Sequence, residues 1–185
     1  MSKYVKLTIL ILLTIIFILH PKCDTLVGQH CNNFLYNIFH FITYQALGIV
    51  HEGGHGVCYI LHTPQVVTAA NGTIFQLLFP YGVYWYYKRK QEYFGSYIAL
   101  FFLGLSLHYT AWYIASASSN MFISAEHSFL GSPGIHDFSY LLKYFGILKY
   151  KDTISSISHF VAYIFMLYAL IRMIFNYLDK DWKIV

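Results

Sequence analysis

Two histidines and a glutamate stand inside an otherwise apolar run, Gln45 to Leu61, as His51-Glu52-Gly53-Gly54-His55. On an α-helix, residues four apart sit one turn above the other, with Cβ atoms about 5 to 6 Å apart, so His51 and His55 can aim ring nitrogens at one cation. This H-E-x-x-H spacing is a zinc pattern. The histidines hold the metal, while the intervening carboxylate, Glu52, stays free to take a proton from the water that zinc acidifies. The surroundings sharpen the reading, because an ionisable group at bilayer depth costs at least ~2.5 to 3.5 kcal/mol and marks function by default. Gly53, Gly54 and Gly56 each weaken a helix by roughly 1 kcal/mol relative to Ala, but let another backbone approach. The competing readings are a hydrogen-bonded His pair in a helix-packing core and an iron or haem site.

A catalytic zinc site needs a third protein ligand and an open position. The candidates are His136, Asp137, His108, His62, His127 and Glu126. Ser132-Pro133-Gly134-Ile135-His136-Asp137 stands out, since a Gly/Pro-shaped turn delivers two adjacent donors at the start of an apolar helix. His136 is the expected third ligand. Asp137 is either the cap of the helix that follows, the ligand in place of His136, or the carboxylate that orients a ligating imidazole. His108 reads as an interhelical donor that can also line the site, and His20, His30, His40 and His159 read as interfacial or core residues. Gln76 and Asn71 are candidates for holding the substrate backbone or a developing oxyanion.

The elements that must position these groups are membrane helices. The chain of 185 residues is 57% hydrophobic and only 11% charged, with a mean hydropathy of +0.50, which specifies an all-α, polytopic bundle and one membrane-embedded domain over 1–185. Five segments are expected. Tyr4 to Leu19 is a first helix within 1–20, retained rather than cleaved. Phe34 to Leu61 carries the motif and is long enough to span. Val66 to Gly72 reads as extended or turn because β-branched residues precede Asn71-Gly72. Thr73 to Tyr87, with Gln76 and Pro80, reads equally as a straight helix or as a broken or re-entrant one. Tyr93 to Ala117 is the fourth segment, a short helix starts at Phe138 to complete a core over 34–148, and 158–178 is the last span.

The net charge of +4 sits at segment ends, in Lys3, Lys6, Lys88-Arg89-Lys90, Lys143, Lys149, Lys151, Lys180 and Lys183, as anchors and orientation signals. This distribution argues for a lipid bilayer as partner and against nucleic acid. The lysines conflict with a cytoplasmic N-terminus if all five segments cross, which makes Thr73 to Tyr87 the suspected re-entrant piece. Cys23 and Cys31 are a possible disulfide and Cys58 a packing residue.

The chain resembles the intramembrane zinc metallopeptidases of the site-2-protease type, in which an H-E-x-x-H on a membrane helix is completed by an acidic ligand from a later one. It lacks the N-x-x-P…D-G segment of that group and reads G-S-P-G-I-H-D-F instead. A nearer likeness, over Gly48 to Gly146, is to uncharacterised membrane proteins related to that group. Their H-E-x-G-H, G-x-x-x-Q-L-x-x-P and H-D-aromatic segments correspond to His51–His55, Gly72–Pro80 and His136–Phe138. Where those proteins carry G-Q and Y-I-A-D-A, this chain has Gly104-Leu105 and Tyr113-Ile114-Ala115-Ser116-Ala117. The resemblance implies a zinc-dependent intramembrane endopeptidase with Glu52 as base, Zn2+ as cofactor and a membrane protein or peptide as substrate. It would be a multi-pass protein of a plasma membrane, or of the inner membrane in a bacterium. An inactive scaffold related to such peptidases is the alternative, and a membrane iron or haem protein the next.

Overall fold

The computed structural model describes residues 1–23, 33–120, 122–123 and 134–178. Cys31 of the expected disulfide, His30, the candidate ligands Glu126 and His127, and Lys180 and Lys183 lie outside them. Six α-helices dominate: α1 (Lys3–Cys23), α2 (Phe34–Ile60), α3 (Gln65–Arg89), α4 (Tyr93–Ala115), α5 (Asp137–Tyr144) and α6 (Lys151–Leu178). A 3-10 turn, Leu148–Tyr150, precedes α6, and a minimal antiparallel pair joins β1 (Phe122–Ile123) to β2 (Gly134–Ile135).

α4 is the axis of the bundle. It is apolar on every side and buried along its length, as expected of a helix enclosed by others. Its Phe94, Phe101 and Leu105 pack with Leu10 and Leu13 of α1 and with Met166, Leu170 and Met173 of α6. Contact with α6 is close because of Gly104, where a Cβ would lie 2.5 Å from Met166 Cγ and 2.8 Å from the Ala162 carbonyl oxygen. Such small-residue crossings replace the hydrophobic drive that lipid removes. Hydroxyls and one cation complete the seam: Ser155 Oγ donates to the Ala111 carbonyl (2.7 Å), and Lys151 Nζ donates to the carbonyls of Ala115 (2.9 Å) and Ala117 (2.7 Å). The ammonium therefore satisfies the last carbonyls of α4 and complements its dipole.

Among the described residues four helices are long and apolar enough to cross a membrane: α1, α3, α4 and α6. Their outer faces expose Ile11, Ile15, Leu78, Phe79, Phe160 and Ile164, which suits a hydrocarbon surround. α2, expected to span, is not among the four although it has 27 residues, because His40, Gln45, His51, Glu52 and His55 dilute its apolar content.

The pairings orient the helices. Lys6 meets Asn176 and Phe17 meets Tyr163, so α1 and α6 are antiparallel. Gln76 meets Ser106 while Gly95 faces Tyr87, so α3 and α4 are antiparallel. The start of α1, the end of α3, the start of α4 and the end of α6 thus share one end of the bundle. It follows that the chain leaves α1 and enters α3 at the opposite end.

α3 corrects two expectations. Val66 to Gly72 is helical rather than extended, and Thr73 to Tyr87 continues the same helix without a break. Pro80 does remove a rung of the ladder, leaving the carbonyl of Gln76, four residues earlier, without its helical donor. Ser106 Oγ of α4 donates to that oxygen at 3.1 Å, so a neighbouring hydroxyl repairs the gap. α5 begins one residue before the expected Phe138. It ends at Tyr144, and Gly146, two residues on, has a φ of +69°, the left-handed conformation that lets the chain turn into the 3-10 segment.

Candidate metal centre

α2 and α3 form an antiparallel pair whose close approach is made at two glycines. Gly54 lies so near Asn71 that a Cβ would fall 2.5 Å from its carbonyl oxygen, and Asn71 Nδ2 donates to the Gly54 carbonyl (2.8 Å). The next residue on α3, Gly72, overhangs the motif. A Cβ there would be 2.6 Å from Nε2 of both His51 and His55. Gly53 and Gly56, expected to serve packing as well, face open space: a Cβ at either would meet nothing within 4 Å.

His51 and His55 are buried, and a third donor closes on them from the start of α5. His51 Nε2 lies 3.0 Å and His55 Nε2 3.2 Å from Asp137 Oδ2. The ligand atoms of this buried trio all lie within 4.8 Å of one another, the one such cluster among the described residues. The donor that joins the two imidazoles is therefore Asp137 and not His136. The cap assignments are exchanged as well: His136 is the N-cap of α5, its Nδ1 accepting from the Ser139 N–H (3.2 Å), while Asp137 occupies the first helical position. The other ring nitrogen of His136 pairs with Ser116 Oγ (2.9 Å), and the ring stacks on Tyr113 with centroids 4.2 Å apart. Both His136 nitrogens are engaged away from the trio.

The tautomers follow from the outer partners. His55 Nδ1 faces the Thr68 carbonyl (2.8 Å), a pure acceptor, so it carries the hydrogen. His51 Nδ1 faces Gln76 Oε1 (3.1 Å), whose amide nitrogen is turned to the Ser106 carbonyl (3.4 Å), so it donates too. Each neutral imidazole then presents an Nε2 lone pair to a carboxylate oxygen. Three acceptors converge on one buried point, which requires either extra protons or a cation. A tetrahedral zinc ion with bonds of ~2.0 to 2.1 Å holds its donors about 3.3 Å apart, close to the 3.0 and 3.2 Å that separate the two imidazoles from Asp137. The cradle beneath Gly72 supplies the space. Two histidines, one carboxylate and outer hydrogen bonds that fix both tautomers are a fitting donor set for zinc.

Tyr113 braces the third donor. Its hydroxyl donates to Asp137 Oδ2 (3.4 Å) and accepts from the Asp137 N–H (3.2 Å). Burial alone would raise the Asp137 carboxyl, but the hydrogen bonds and charge of the two imidazoles outweigh it and hold it below the usual carboxylate range. Burial pushes the His136 imidazole down to about 4, against the pull of the Asp137 charge.

Glu52 follows His51 on α2, half-buried, and makes no hydrogen bond or ion pair among the described residues. Its charge acts on both His55 and Tyr113. Asn71 and Gln76, expected to meet substrate, spend their amides on Gly54 and on His51 and Ser106. His108 lies elsewhere, with His20 and His159, its Nδ1 2.9 Å from His159 Nδ1. Four contributors escaped sequence reasoning. Thr68 acts through its backbone, which no side-chain pattern announces. Gly72 read as a turn residue, Ser106 is a lone hydroxyl in an apolar stretch, and Tyr113 entered only through the segment Tyr113-Ile114-Ala115-Ser116-Ala117. No protein family, curated protein or solved structure matches the chain.

Proposed function

We propose that the protein is a zinc-dependent membrane endopeptidase, with the metal held by His51, His55 and Asp137. The convergence of three lone pairs on one buried point beside an uncommitted carboxylate is the observation that carries this reading. Zinc bound there supplies Lewis acidity, polarising a carbonyl and lowering the pKa of water toward 7. Glu52, one residue round from His51 and without a partner of its own, accepts the proton of the attacking water and returns it to the leaving amine. Gln76 and the Thr68 carbonyl keep both imidazoles in the ligating tautomer, and Tyr113 keeps Asp137 turned toward them.

α1, α3, α4 and α6 are the spans in this reading. Lys3, Lys6, Lys88, Arg89 and Lys90 gather at one end, which by the positive-inside rule faces the cytoplasm. The metal trio, near the far end of α4, then opens toward the other side.

The test is metal analysis of purified protein with assays of Glu52→Gln. Stoichiometric zinc with loss of hydrolysis in the variant is expected. A second reading has one observation in its favour: two histidines and one carboxylate are also the donor set of non-haem iron oxygenases. Purified protein carrying iron in place of zinc would establish it, and full function in Glu52→Gln would leave an inactive scaffold.

A further inference from the structure

Because α2 does not reach the basic end, the bundle is incomplete there. A cavity of about 690 Å³ fills the missing position, roofed by Thr43 and Leu47 of α2 and walled by Pro80 and Val83 of α3 and Phe94 and Phe102 of α4. Its floor is polar, formed by Lys6, Gln91, Glu92 and Asn176. An apolar bay with one charged mouth suits an amphiphile.

Size decides between a lipid and a polypeptide. A helix is about 10 to 12 Å across, so this volume takes only one to two turns of it, whereas a flexible hydrocarbon chain threads the space. Charge decides the headgroup. Among the described residues Lys6 has neutral partners: its Nζ donates to Asn176 Oδ1 (3.2 Å) and stands 5.4 Å from the centre of the Phe94 ring. Among the described residues that line the bay the one carboxylate is Glu92, and it forms no ion pair with Lys6. Lys88, Arg89 and Lys90 ring the same end, each over an aromatic ring in the manner of interfacial anchors.

We propose that this bay is a lipid site that holds an acyl chain of an anionic phospholipid, with the phosphate on Lys6. The site is separate from the metal trio and stands whether or not the protein is a peptidase. The full chain, purified in mild detergent, is titrated with phosphatidylglycerol and with phosphatidylcholine of the same acyl chains and read by native mass spectrometry. One phosphatidylglycerol per chain is expected, bound about fivefold more tightly than phosphatidylcholine, the preference carried by a single interfacial cation. Lys6→Gln should bring the two lipids to equal affinity. Ala46→Trp, at an exposed position on the cavity wall, should exclude both while the variant keeps its monodisperse elution and its metal content. Equal binding of the two lipids by the wild type, an unchanged preference in Lys6→Gln, or lipid retained in Ala46→Trp would overturn the proposal, as would a peptide mass in place of a lipid.

Discussion

His136 and Asp137 are neighbours with opposite duties. Asp137→Ala should strip the metal, while His136→Ala should keep it and lose stability through the uncapped start of α5, by about 1 kcal/mol; elemental analysis beside thermal unfolding separates the two. Gly72→Ala changes no ligand, yet its methyl would fill the cradle over both Nε2 atoms, so zinc should be lost as completely as in His51→Ala. Glu52→Gln should retain zinc and lose roughly 10² to 10⁴ in rate. Acid should act on His136 as well. Its imidazole stays neutral in the folded protein down to about 4 but titrates near 6.5 when unfolded, so between these values the unfolded state binds more protons. The stability it contributes is intact above pH 6.5 and falls away as pH drops toward 4. Unfolding of His136→Asn across that window should show a flatter slope than wild type.

At the scale of elements, the i,i+4 pair was legible because helical periodicity is local: any α-helix through 51–55 brings the two rings together. The third donor was not, since a one-residue shift in where α5 starts exchanges cap and ligand, and that shift is set by Ser116, Ser139 and Tyr113, all distant in sequence from the motif or from one another. α3 misled for a related reason. Asn71-Gly72 and Pro80 are breakers in isolation, but Gly72 is there for proximity to the imidazoles, and the Pro80 gap is mended from α4. Ser106→Ala should therefore leave the Gln76 carbonyl buried and unsatisfied, at a cost of about 1 to 3 kcal/mol. In the Pro80→Ala background, where the helix regains its own donor, the same change should cost much less, a coupling that a double-mutant cycle in detergent measures directly. The glycines of the motif divide likewise. Gly53→Ala, exposed and open, should raise stability by up to about 1 kcal/mol, whereas Gly54→Ala should lower it by forcing α2 from α3.

For the whole molecule, hydropathy was enough for an all-α chain with several membrane-length helices, but not for which segments cross. The lysine pattern signalled a contradiction in a five-span chain, and the proposed four-span reading avoids it by leaving α2 rather than α3 out of the count. Single cysteines placed at Gln91 and Lys143 in a cysteine-free background test this: an impermeant maleimide applied to intact cells should modify the second and spare the first. One further consequence comes from the position of Asp137 in the chain. Both imidazoles are synthesised early, whereas their carboxylate partner arrives only after α4, so a nascent polypeptide halted before that point has a half-built receptacle with little hold on an ion. If the proposed metal site is filled, cation loading would wait for the final third of translation, and the incoming ion would act as a clasp that fastens the last-made portion onto what was inserted first.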